Sequence, residues 1–323
     1  MRLISALVAA QCLAFTASVQ AAEPPGAYPE KSIRVIVPFA PGAAADTFGR
    51  MAAQKFNEAW KQPVIVENKP GGGAVLGAEL VAKSPADGYT LLLTTPAFVI
   101  NATGARPLPF DTLKDFAPVS LFASTSMIIV STPSLPVKTV KEMLAYAKSQ
   151  PGGLTFASAG NGTINQLGME LLKLQGGVPM THVPYKGGGP ALTDVAGGQV
   201  QLMLSTVTAA QSLIKAGRLR PIAVSTAKRI DLFPDVPTVA ETLPGFEAIN
   251  WSGIVAPAGT PPATVAKING VLVRMLRDAD VKEKLAREGA DPVGSTPEQF
   301  TNFVRTEIVK WTRVVKETGA TLD

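Results

Sequence analysis

Cysteine and histidine are almost missing from this 323-residue chain, which holds one of each, Cys12 and His182. That excludes a disulfide framework, an iron–sulfur cluster and any ordinary Cys/His zinc site, so no metal is expected. A histidine-dependent triad would have to use His182. Long runs of basic charge are missing too. The 30 Lys and Arg residues are scattered among 25 Asp and Glu, and no basic run exceeds two. Nucleic acid is therefore not an expected partner. Paired carboxylates at a convincing spacing, sequence repeats and low-complexity tracts are likewise lacking. What the chain does have is apolar substance: 46% hydrophobic against 17% charged residues, enough for a sizeable core. With 29 Gly and 27 Pro it also has many tight connections.

The first 21 residues read as a targeting segment. Arg2 supplies a positive charge, Leu3–Ala17 is largely apolar, and Val19 and Ala21 put small residues at the −3 and −1 positions. This is the pattern of a secretory signal cleaved before Ala22. The apolar run contains Gln11 and is shorter than the ~20 residues a membrane span needs. Gln11 also stands where a lipidated Cys12 would require a small residue. Removing the segment leaves no cysteine and 29 basic against 25 acidic residues, a net charge of +4. A cysteine-free mature chain suits an oxidising compartment.

The rest alternates strands and helices. Ile33–Val37 reads as a mostly buried strand, 46–60 as a helix with Phe48, Met51, Ala52, Phe56, Ala59 and Trp60 on one face, and Pro63–Glu67 as a second strand. A small-residue helix to about Lys83 and a strand centred on Leu91–Thr94 follow. That order implies parallel pairing through crossover helices. Val119–Thr132 is long enough to cross between two sheets. The pattern then restarts with a helix behind Thr139, a strand at Leu154–Ala157 and a helix behind Thr163, both helices opened by capping boxes. Strands at Met180–Pro184, Val200–Leu204 and Pro221–Val224 have short helices between them near 190–197 and 208–216. A strand at Trp251–Ala256, a helix at 262–277 and a last helix behind Thr296 end the chain. The reading is an α/β protein of two lobes, each a mostly parallel sheet flanked by helices, with a ligand cleft between them. Residues 22–125 and 229–323 form one lobe and 126–228 the other.

Two strand-to-helix loops stand out. The first runs Pro38-Phe39-Ala40-Pro41-Gly42-Ala43-Ala44-Ala45-Asp46. In an open α/β sheet, ligands bind at the carboxyl ends of strands, where free helix N–H groups point outward. The same loop also reads as a plain turn with Asp46 as helix cap. The second, Ser158-Ala159-Gly160-Asn161-Gly162-Thr163, has two glycines and flanking hydroxyls suited to an anion, and equally to a turn. Asn165 adds an uncharged donor just inside the helix. Thr95, Ser205 and Thr206 follow two further strands and complete the candidate set with Lys186 and Gly187. Those last two residues lie in a loop before Pro190, with Lys186 either facing the cleft or merely solvated. Phe156-Ala157-Ser158-Ala159-Gly160 mimics a nucleophile elbow but has Phe156 where the first Gly belongs. Gly71-x-Gly73-x3-Gly77 is one residue too long for a dinucleotide fingerprint, and Lys186-Gly187-Gly188-Gly189 is no phosphate loop. No cofactor is expected.

Several motifs stand in a shared order: Pro38-Phe39-x-Pro41-Gly42-x3-Asp46, Glu67-Asn68-Lys69-Pro70-Gly71, Ala86-Asp87-Gly88-Tyr89-Thr90-Leu91-Leu92, Lys114-Asp115-Phe116-x-Pro118-Val119, His182-Val183-Pro184-Tyr185-Lys186-Gly187, Gly197-Gly198-Gln199-Val200, Pro234-Asp235-Val236-Pro237-Thr238 and Ala256-Pro257-Ala258-Gly259-Thr260-Pro261. Together they resemble the substrate-binding proteins of tripartite tricarboxylate transporters, the Bug receptors, over essentially the whole mature chain. The resemblance implies a periplasmic two-lobed binding protein of type II-like fold. Such a protein closes as a monomer on a small organic carboxylate and serves the membrane components of the transporter. It also implies that backbone groups of the first loop and of the Gly-x-Gly loop hold the ligand, partly through water. Two positions depart from the family pattern: Ala43 where a second Gly is usual, and Gln166 where His is usual. The rival reading is an exported α/β hydrolase-like enzyme acting on a small carboxylic acid derivative, and it needs a titratable constellation that one His and no mature Cys do not supply. A strand-rich adhesive domain fits the helical content poorly.

Overall fold

The computed structural model describes residues 28–104 and 107–322. The predicted signal segment, residues 1–21 with Cys12, lies outside them. The chain opens with β1 (Ile33–Val37), buried except at Arg34. The Arg34 guanidinium donates to the Thr90 hydroxyl at 3.1 Å and pairs with Glu67 at 3.5 Å, which is how one charge survives in an apolar strand. Helix α1 (Ala44–Trp60) follows and buries Phe48, Met51, Ala52 and Phe56 against the sheet. Its Gly49 faces β1 so closely that a Cβ there would meet the Val37 side chain at 2.5 Å. β2 (Val64–Asn68), α2 (Val75–Ala82), β3 (Thr90–Thr94) and a short α3 (Pro96–Ile100) complete the first α/β run.

β4 (Phe116–Thr125) and β5 (Met127–Ser131) are separated by Ser126 alone and belong to different sheets, so the predicted crossing strand is observed. Then come α4 (Val140–Ser149), β6 (Leu154–Ser158), α5 (Ile164–Gly176), β7 (Met180–Pro184), α6 (Gly188–Ala196), β8 (Leu202–Thr206), α7 (Val207–Lys215) and β9 (Arg220–Val224). The chain returns through β10 (Asn250–Pro257), α8 (Pro262–Met275), α9 (Ala279–Arg287), β11 (Ala290–Pro292) and α10 (Pro297–Thr318).

Two sheets result. One has the order β11-β4-β10-β3-β1-β2, the other β7-β6-β8-β5-β9. The α/β class with two helix-flanked sheets is as expected, but the sheets are mixed rather than mostly parallel. β1 pairs in parallel with β2 and β3, and β6 with β7 and β8. The strands by which the chain enters a sheet from the other one run the other way: β10 is antiparallel to β3 and β4, and β5 to β8 and β9. A crossing strand enters its sheet from the far lobe, so its direction is set by the crossing and not by a βαβ crossover. After β9 the chain stays with the second sheet for some way. Val224 bridges to Thr238, the Ala248 N–H donates to Ser225 O, and the Ser225 hydroxyl donates to Ala248 O.

One apolar cluster joins the layers, with Ile36 and Leu92 of the first sheet, Phe156 and Leu204 of the second, and Leu167, Phe300 and Trp311 from α5 and α10 between them. The helix caps refine the sequence reading. Thr296 forms the full reciprocal box with Gln299, and an unforeseen one joins Thr238 and Glu241. At Thr139 and Thr163 only half a box forms. Thr139 accepts the Glu142 N–H, but the Glu142 carboxylate accepts from Lys138 N–H instead. Gln166 turns its carbonyl to the Gly162 N–H at 2.8 Å and donates its amide to Thr321 O at 3.2 Å.

Candidate functional site

A cleft of about 350 Å³ opens between the sheets. Its walls come from both: the start of α1, the β3–α3 junction and the start of β10 on one side, and the start of α5 with the end of β8 on the other. Of the candidates named from sequence, Phe39, Ala43, Ala44, Ala45, Thr95, Asn161, Gly162, Thr163, Asn165 and Thr206 line it. The parallel strands β1 and β3 end at this edge, and so do β6 and β8, so the rule that ligands sit beyond strand carboxyl ends locates it in both sheets. A larger depression of about 710 Å³ lies beside residues 101–104, residues 107–113 and Ile308 and is lined by none of the candidates.

The two helix N-termini meet the cleft with free backbone donors. The N–H groups of Ala44 and Ala45 in α1, and of Ile164 and Asn165 in α5, have no acceptor among the described residues. Each terminus carries roughly half a positive charge from its aligned peptide dipoles. No described lining side chain is charged. Gly162 adopts φ 71°, a left-handed conformation that a side chain opposes.

The remaining candidates stand behind the wall. Asp46 is at the third position of α1, not at its cap, which is Ala43. Its carboxylate accepts from Gly42 N–H at 3.0 Å, Arg50 Nε at 2.9 Å and Asn68 Nδ2 at 2.9 Å. Burial would raise this carboxyl, but the bonds from Arg50, Gly42 and Asn68 outweigh it and hold the group below its ordinary value. Asn68 also donates to Phe39 O at 3.0 Å, so the Glu67-Asn68-Lys69 motif braces the first loop. Ser158 is wholly buried and 2.6 Å from His182 Nε2, and it bonds Gly160 as well. Ala40, Gly42, Gly160, Lys186, Gly187 and Ser205 do not line the cleft either, and Lys186 is exposed.

The Ser158–His182 contact is the nearest thing to a catalytic pair. Burial, and then the Lys173 charge, push His182 down to about 4, so the ring is neutral and able to accept the serine proton. No described carboxylate bonds its second nitrogen, and a serine with no exposed surface offers a substrate no approach. The pair ties the Gly160 loop to β7. Sequence reasoning did not identify Phe48, Gly73, Pro96, Ala97, Asn101, Met127, Ile164, Asn250 and Ser252 as lining residues. Gly73 and Asn101 are bound together by an Asn101 Nδ2 bond to Gly73 O at 2.7 Å. Asn250 and Ser252 reach the cleft only because β10 runs antiparallel beside β3, which no local pattern announces.

The model of the tripartite tricarboxylate transporter family receptor matches residues 48–320. The chain belongs to this family. Protein BugT of Bordetella pertussis is 36% identical over 310 residues, covering 95% of each chain. Among solved structures, the R. palustris protein Rpa4515 with adipate is 35% identical with a TM-score of 0.78, covering 92% of this chain and all of that one. MatC from Rhodopseudomonas palustris with bound malate is 32% identical with a TM-score of 0.75, covering 89% of this chain and all of that one. Membership makes this chain a solute receptor of a tripartite tricarboxylate transporter family.

Proposed function

We propose that the chain is a periplasmic receptor that binds a small organic carboxylate in the cleft between its sheets and delivers it, as a monomer, to the membrane components of a tripartite transporter. The observation that carries this reading is the facing pair of helix N-termini, Ala44–Ala45 and Ile164–Asn165, with unused N–H groups in an uncharged cleft. Two such termini together offer about one positive charge to a carboxylate and need no Arg or Lys to do so. Relatives solved with adipate and malate support the ligand class. In this reading the lobes are the two sheets, and Phe39–Ala45 and Asn161–Asn165 hold the ligand's carboxylate from opposite sides. Calorimetry against a panel of small mono-, di- and tricarboxylates tests it. At least one acid should bind, and at about 100 times its dissociation constant it should add about 2.7 kcal/mol to stability. Gly162→Val, checked for folding by circular dichroism, should lose most of that affinity, because valine opposes the left-handed backbone and projects from the loop beside the carboxylate. Unchanged affinity in the folded variant would put the ligand elsewhere.

Export rests on the Arg2, Leu3–Ala17 and Ala21 pattern. Intact mass of the protein recovered from the periplasm should correspond to a chain starting at Ala22 without lipid. A chain starting at an acylated Cys12 would overturn that cleavage site.

A further inference from the structure

Gln166 is the third residue of α5 and is 1% exposed. In a reciprocal capping box its side chain would return to the Thr163 N–H. It reaches instead in two other directions. Its carbonyl accepts the Gly162 N–H at 2.8 Å, and its amide donates to Thr321 O at 3.2 Å. Chemistry fixes the orientation of this amide. Gly162 offers a donor and Thr321 an acceptor, so the oxygen and nitrogen cannot be exchanged. A carboxylate here would turn a second acceptor on Thr321 O, and an apolar side chain would serve neither neighbour. The two partners belong to different parts of the molecule. Gly162 is in the turn that opens α5, and it lines the cleft. Thr321 follows α10, which packs on β4 and α3 beside the first sheet as well as on α5. Neither Gln166 nor residues 319–322 line the cleft.

We propose that Gln166 is a positioning residue for ligand binding: it ties the Gly162 turn to the C-terminal tail, so that residues 319–322, outside the cleft, set how the α5 N–H groups meet the acid. This rests on the carboxylate reading above and adds what holds that half of the site in place. The turn needs such a hold. Gly162 is left-handed at φ 71°, and a Cβ added there would meet nothing within 4 Å, so nothing packs against that face. Asn161, just before it, borders both the cleft and a second depression of about 410 Å³, whose walls include Gln166 and residues 318–321. The loop is a thin wall between two open spaces, and hydrogen bonds more than packing decide where its peptides lie. The free N–H groups of Ile164 and Asn165 follow Gly162 by two and three residues, so a shift of the turn re-aims them. Donors held in place before binding bind more tightly than donors that binding must order. Because α10 also packs beside the first sheet, the tie keeps the α5 loop in register with the α1 loop across the cleft.

Two measurements test this: hydrogen exchange at the Gly162 amide, read by nuclear magnetic resonance, and calorimetry with adipate, malate and citrate. Both are made on the wild type, on Gln166→Met, on a chain lacking residues 319–323, and on the two changes combined. The deletion leaves α10 whole. Gln166→Met should speed Gly162 exchange and weaken the best-binding acid, each about three- to tenfold, the scale of one lost hydrogen bond. The deletion should move both readings in the same direction, and in the Gln166→Met background it should add nothing to either. A residue that only stabilised the fold would lower the melting temperature and leave both readings as in the wild type. Wild-type exchange and affinity in the deleted chain, or losses that simply add in the combined chain, would overturn the tie. If Gln166→Met failed to fold, the deleted chain against the wild type would decide. If the wild type bound none of the three acids nor any of the wider panel, the carboxylate reading would fall by itself. Gly162 exchange would then still show whether the tail reaches the loop.

Discussion

His182 is the one imidazole in the chain, and the fold uses it neutral. It stacks on Phe156 with ring centroids 5.0 Å apart and holds Ser158 at 2.6 Å. Burial and the Lys173 charge lower it to about 4, against about 6.5 for a histidine in the unfolded chain. Between those values the unfolded chain takes up a proton that the folded chain refuses, so the contribution is whole above pH 6.5 and is lost as pH falls towards 4. For a ring this open to solvent, that is on the order of 1–2 kcal/mol after screening. Urea unfolding at pH 7 and pH 4.5 should therefore show a larger loss for the wild type than for His182→Asn. Equal losses would mean that His182 titrates alike in both states. The sequence marked Ser158 as a ligand candidate and His182 as the one residue a histidine-dependent triad would need. It could not disclose that the two meet, because they lie on neighbouring strands 24 residues apart in the chain.

Loops here are shaped by what stands behind them. The α1 loop carries Gly42 and four alanines, which accounts for its small profile but not for its rigidity. That comes from Asn68 at the end of β2, which donates to Phe39 O and Asp46, and from Arg50, which donates to Asp46 and to Asn68 Oδ1 at 3.3 Å. Asn68→Ala removes two donated bonds and leaves a buried carboxylate and a carbonyl short of partners, a cost of about 1–3 kcal/mol. The variant should melt several degrees lower and bind its acid more weakly, both read in one thermal-shift titration. A variant with wild-type melting and affinity would show that Arg50 and Gly42 suffice. The strands and long helices were readable because their apolar periods are strong. α9 was not, because only Val281 and Leu285 are buried on it and five of its nine residues are charged. β11 was missed because three residues carry no period, and α3 because five residues starting at a proline make no stripe. The two Gly-containing loops were found because they break a strand–helix pattern. Asn250 and Ser252 were not, because they sit inside a strand and acquire their place from its neighbours.

At the scale of the molecule, the two sheets are joined by Ser126 between β4 and β5 and by the stretch from Ser225 to Ile249 between β9 and β10. Two crossings limit the relative motion of the sheets to a bend about one axis, the arrangement of a hinge. The apolar cluster running from Ile36 through Leu167 and Trp311 to Phe156 keeps the sheets packed on one side, so opening must separate the other side, where Phe39 and Ala43 face Gly162 and Thr163. A carboxylate that bonds N–H groups on both walls has more partners in the closed form and shifts the population towards it. Small-angle scattering of the free protein should give a radius of gyration above the about 19 Å of a compact body of about 300 residues, and the bound protein should fall towards that value. Calorimetry on the same sample fixes the occupancy. An unchanged radius at full occupancy would remove closure from the mechanism and leave a preformed cleft. In that case the free N–H groups of α1 and α5 already face each other across the cleft of the empty receptor.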